Sequence, residues 1–132
     1  ALLAVGVPAA GQVDSSAIES FHDDDSSEDA RKSGFLVAGL AGLGRIPADS
    51  ASSLASGFGY DLAKQSRWSR LIDQAAAVNN RALVAILAGV GMQGDDWTKM
   101  TPRHLFHIVS ALRRVGFEAE SRMIAAEAVA RG

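Results

Sequence analysis

Alanine fills roughly a fifth of this chain, while threonine occurs only at Thr98 and Thr101. Alanine is the best helix former, and β-branched residues are the usual strand formers. A chain so weighted is expected to be all-α. Its 132 residues are enough for one domain with a real core. The hydrophobic share of 48% and charged share of 21% are those of an ordinary globular protein.

Periodicity and end signals divide the chain into about six helices. Asp25 is placed to cap a helix running to about Leu43, with Glu28 completing a capping box and Gly44 ending it. Ala51, Leu54, Ala55 and Phe58 share a face of a second helix after Pro47, which Gly57 and Gly59 break. A third starts near Ser66 and aligns Trp68, Leu71, Ile72, Ala75 and Val78. Asn79-Asn80 turns the chain into Arg81–Val90, and Thr101-Pro102 is an N-cap followed by proline at the first helical position. Gly116 separates that helix from the last, at about 117–131. Residues 1–24 are expected to form an N-terminal arm or linker, and 25–132 a helical-hairpin domain.

The helix faces carry further expectations. Phe35–Leu43 and Arg81–Val90 are apolar on every side, so both are expected to lie buried between neighbours. Gly39 and Gly42 allow close helix approach. In the last helix, Ala119, Met123, Ala126 and Ala130 make a small-residue packing face. Phe117, Ile124 and Ala128 lie nearly opposite, with Phe117 and Ile124 either an unpartnered patch or tucked under the preceding helix. Trp68 and Trp97 are expected to anchor seams between hairpins.

Charge is uneven. Residues 1–66 carry four bases against nine acids, a balance of −5; residues 67–132 carry nine against six, +3, within the net −2. Arg103, His107 and Arg114, flanked by Arg113, form a cationic stripe on the helix from Thr101. It is a candidate surface for phosphate, an acidic partner or the chain's own acidic run. Nucleic-acid binding through that helix is the alternative, although the basic surface is sparse for it.

Several chemistries find no support. Zero cysteines exclude disulfides, thiolate catalysis and cysteine-based metal sites. Gly89-Val90-Gly91-Met92-Gln93-Gly94 spells GxGxxG, but Asp95-Asp96 follow it where a phosphate would sit, and no acid lies about 20 residues on. His104 and His107 have a chelating i, i+3 spacing without a third ligand nearby, and His107 is expected to face solvent. Asp23, Asp24 and Asp25 lack the alternate spacing of a calcium loop. No nucleophile elbow or SxxK pair occurs. The expectation is a non-enzymatic chain without cofactor or metal. The apolar runs are too short to cross a bilayer. Ala1–Ala10 looks like the end of a secretory h-region without its basic n-region, and Ala1 suggests a processed product or part of a longer, bacterial-type protein. Location is open: cytoplasmic, with secreted or periplasmic as alternatives.

A faint repeat links the helices. A slide of 37 residues places Leu71-Ile72 on Ile108-Val109, Ala75 on Leu112 and Val78 on Val115. A slide of 72 places Leu43-Gly44 on Val115-Gly116. Over residues 28–131 this period, with the Ala-rich second helices, resembles tetratricopeptide-type and related α-solenoid architectures. The Trp-Leu-Gly-Tyr signature of a tetratricopeptide first helix is missing. The resemblance implies antiparallel hairpins stacked as a short solenoid, with an ordinary helical bundle as the alternative. It also implies a scaffold that binds another protein or its own copy, making a homo-oligomer an open expectation. Candidate surface residues are Arg103, His107, Arg113, Arg114, Phe117 and Ile124.

Overall fold

The computed structural model describes residues 12, 13, 15–27, 30–62, 64–92 and 100–131. Among them the chain is all-α, with seven helices: α1 Ser15–Asp23, α2 Arg31–Gly42, α3 Ala48–Gly57, α4 Arg67–Ala77, α5 Arg81–Gly91, α6 Pro102–Arg114 and α7 Glu118–Arg131. The leader-like Ala1–Ala10, Glu28 of the expected capping box, Asp95-Asp96 and Trp97 lie outside the described residues. Helix α1 falls within the segment expected to be an arm. It docks on α2 through Ile18, which is fully buried, and Val13 N–H donates to the Arg45 carbonyl just ahead of it.

The helix ends are written locally. Four helices close with the same pair of hydrogen bonds, in which a residue at positive φ lets two amides turn back onto the last carbonyls. After α2, Gly44 N–H donates to Ala41 O and Arg45 N–H to Leu40 O. Gly59, Asn79 and Gly116 do the same after α3, α4 and α6. At the other ends, the side chains of Ser66, Asn80 and Thr101 accept from Ser69, Leu83 and His104 N–H.

Helix α2 departs from this scheme. It begins at Arg31, later than Asp25 suggests, because its N-cap is Ala30, which sits at φ 53° and has no side-chain acceptor. The acidic loop supplies the acceptors from outside. Asp25 Oδ2 accepts from Ser33 N–H at 2.9 Å and Ser33 Oγ–H at 2.6 Å, while Ser27 Oγ accepts from Lys32 N–H. Asp25 Oδ1 accepts from Ser27 N–H and Oγ–H. Partial burial pushes the Asp25 carboxyl up, but the bonds from Ser27 and Ser33 outweigh it and hold the pKa down, at about 2. This contribution is complete above the unfolded value near 3.8 and is lost as pH falls toward 2. Asp25→Ala should cost about 1–2 kcal/mol at neutral pH. The urea-unfolding gap from wild type should narrow as pH drops from 4 to 2; a pH-independent gap would refute this account of the cap.

Packing gives a bundle with α2 and α6 at its centre. Helix α2 lies against α1, α3, α6 and α7, and α6 lies against α2, α4, α5 and α7. In a solenoid each hairpin rests on the next in sequence. Here α6–α7 sits between α2–α3 and α4–α5, so the spatial order is first, third, second. The 37- and 72-residue slides have a local cause. They superpose Leu43-Gly44, Val78-Asn79 and Val115-Gly116, which are the same helix-ending motif.

The two all-apolar helices have opposite fates. Helix α2 is buried from Ser33 through Leu40, as expected, with Phe35, Val37 and Leu40 at 0% exposure. Helix α5 is not the middle layer expected of it; only Val84 and Ala88 are buried, and Ile86 is 62% exposed. The reason is topological. Among the described residues helix α5 packs chiefly on α4 and α6, which cover the side of Val84 and Ala88.

Candidate functional site

The six expected surface residues do not form one surface. His107 does not face solvent as expected but is 2% exposed, because α4 covers that side of α6. Its Nδ1 lies 3.2 Å from an Asp73 carboxylate oxygen, and its Nε2 is buried without a hydrogen-bond partner. A proton-transferring imidazole needs that second nitrogen within reach of a reacting group. Here it is sealed in packing. Arg113 donates from Nε to Gly42 O at 3.0 Å, bringing a cation to the carbonyl end of α2. Arg114 is exposed and Arg103 partly so.

Phe117 is half-buried, with the Arg81 guanidinium 4.6 Å from its ring centre, and Ile124 packs against the core. This is the tucked arrangement rather than an open patch. The packing face of α7 consists of Ser121, Ala125, Ala128 and Val129, so Ala128 lies on the opposite side from that expected; of the expected face, Ala126 packs partly against the core while Ala119, Met123 and Ala130 are exposed. Ser121 can occupy that stripe because its hydroxyl donates to Glu118 O at 2.8 Å.

Trp68 anchors a seam, as expected. Its Nε1–H donates to Leu87 O at 2.8 Å, and its ring lies 5.0 Å from that of His104. A side chain at Gly91 would collide with this indole, so Gly91 serves helix packing. Gln93 and Gly94, the end of the GxGxxG string, lie outside the described residues. His104 Nδ1 is 2.7 Å from Thr101 Oγ. Desolvation first, then the charges of Arg103 and His107, hold its pKa below the usual histidine value. Among the described residues no three His, Asp or Glu side chains gather as metal ligands, and no helix is long and apolar enough to cross a membrane.

The feature that packing leaves unexplained is on the α4–α5 hairpin. Leu71 and Val78, one face of α4, are 46% and 75% exposed. Leu83, Ile86 and Val90, one face of α5, are 39%, 62% and 48% exposed. Helical geometry joins them. Leu71 adjoins Trp68, an α4 residue that meets α5, and Val78 lies about two turns further along that side. Leu83 and Val90 adjoin the α5 residues that meet α4, namely Leu87 and Gly91. The five side chains therefore form one apolar strip over the outer groove of the hairpin, continued by exposed Ala82, Ala85 and Gly89. Isolated surface hydrophobics are ordinary; a contiguous strip is informative. Sequence periodicity missed it because an all-apolar helix gives no sign of which side will lack a neighbour.

No family model, curated protein or solved structure matches this chain.

Proposed function

We propose that this chain is a non-enzymatic interaction domain that pairs with a second copy of itself through the α4–α5 strip. The observation carrying this reading is the exposed apolar face of Leu71, Val78, Leu83, Ile86 and Val90. Three arguments favour a second copy. From Ala82 to Gly91 the sequence contains no charge, so two α5 helices meet without like-charge repulsion. Ala82, Ala85 and Gly89 lie on the exposed side, and small residues let helix axes approach closely. The strip and its flanking alanines offer on the order of 500 Å² per copy, the scale of weak, transient interfaces.

Pairing would bury on the order of 1,000 Å² in total, and because buried area does not convert directly into affinity, a weak, micromolar dimer is the expectation. Nucleic-acid binding through α6 draws less support, since α6 is central and Arg113 is occupied at Gly42 O.

Sedimentation equilibrium from 1 to 500 μM tests the proposal. Wild type should pass from monomer to dimer, and Ile86→Glu should remain monomeric with unchanged helical circular dichroism. Val78→Asp, at the most exposed strip position, should weaken pairing at least tenfold. A wild type monomeric at 500 μM, or a dimer indifferent to both substitutions, overturns it.

A further inference from the structure

A second feature lies where the loop after α3 meets the start of α6. A cavity of about 460 Å³ is lined by Arg31, Tyr60, Asp61, Lys64, Met100, Pro102 and Arg103, with Gly59 and Thr101 completing it. That volume is in the range of small-molecule sites. Three bases from three parts of the chain converge on it: Arg31 from α2, Lys64 from the α3–α4 connection and Arg103 from the first turn of α6. Among the described lining residues Asp61 is the one acid beside these three bases.

The walls are built rather than incidental. Arg31 Nη2 donates to Met100 O at 3.2 Å, and its guanidinium lies 5.5 Å from the Phe35 ring centre, so one cation is fixed in orientation. Tyr60 stands against Gly34, where a Cβ would come within 2.7 Å of its ring and 2.8 Å of Pro102. Glycine at 34 is what lets the tyrosine and proline form one wall. Gly59, at φ 91°, turns the chain so that Tyr60 N–H reaches Ala55 O. The α6 N-terminus adds its partial positive charge to that of the bases.

We infer that this cavity binds a small organic phosphate monoester, with the phosphate between Arg31, Lys64 and Arg103 and the organic group against Tyr60, Met100 and Pro102. A monoester carries about −1.5 to −2 at pH 7 and presents three acceptor oxygens to three bases, whereas a carboxylate carries one charge on two oxygens. Arginine supplies the forked donors that suit phosphate oxygens, and lysine adds a point charge. The site shares none of its residues with the α4–α5 strip.

The probes are phenyl phosphate, inorganic phosphate and benzoate, titrated into 15N-labelled protein at 50 mM salt. Phenyl phosphate should give saturable shifts centred on Tyr60, Lys64 and Arg103, bind more tightly than inorganic phosphate, and bind at least tenfold more tightly than benzoate. Lys64→Gln with Arg103→Gln should weaken it at least tenfold. Lys64 is exposed, so Lys64→Gln alone, with an unchanged thermal midpoint, provides a folded variant that should still lose several-fold. Non-saturating shifts spread equally to Arg113 and Arg114, benzoate binding as tight as phenyl phosphate, or indifference to Lys64→Gln would each overturn the assignment.

Discussion

Phe35→Ala should lower the unfolding free energy by about 3–5 kcal/mol, while Ile86→Ala should change it by less than about 0.5 kcal/mol in the monomer. Both residues are large and apolar, and both sit in helices with no polar face. They differ in what surrounds them. Phe35 is at 0% exposure in α2, which packs against four other helices. Removing its ring deletes buried area and leaves a hole that α6 and α7 cannot close without disturbing each other. Ile86 is 62% exposed, so truncation surrenders little that was hidden from water. Thermal unfolding at low micromolar concentration separates the two. Phe35→Ala should lower Tm by on the order of 15 °C, and Ile86→Ala by no more than about 2 °C. Comparable losses would place α5 inside the fold and remove the basis for the strip.

That contrast marks where the sequence is legible. Local chemistry is readable because its partners are near in the chain. Gly44, Asn79 and Gly116 end their helices since the turn needs positive φ, and Thr101-Pro102 begins one since the threonine oxygen reaches the amide of His104. Long-range neighbours are not readable in this way. His107 lies on what looks like the polar side of α6, yet α4 packs there and brings Asp73 to it from 34 positions away. Ser121 enters the packing stripe of α7 because its hydroxyl is satisfied by its own helix. The apparent repeat is a local signal, since the same kind of helix ending recurs wherever helices end. For the same reason the basic cavity escaped the sequence. Arg31, Lys64 and Arg103 are too far apart in the chain for spacing to join them, and only Arg103 stood out by charge.

Gly42→Ala should destabilise the protein by about 2 kcal/mol, whereas Gly89→Ala, outside the packed centre, should stabilise the monomer by about 0.5–1 kcal/mol. Replacing glycine within a helix gains backbone propensity at both positions, so the difference between them isolates packing. At Gly42 a Cβ would stand 2.8 Å from Val109 Cγ1 and 3.1 Å from the Ser110 amide nitrogen, in the seam between the two central helices. Val109 cannot swing away easily, because a β-branched side chain on a helix has essentially one rotamer and this one is fully buried. The helices must separate by a few tenths of an ångström, loosening Phe35, Leu40 and Ile108 with them. The Arg113 bond to Gly42 O crosses the same seam and would be stretched by that shift. At Gly89 nothing lies within 4 Å of the added methyl, so only the propensity gain remains. Urea unfolding of both variants at concentrations below dimer formation provides the measurement. Stabilisation by both substitutions would show that α2 and α6 are not in close contact, and would remove the reason for glycine at position 42.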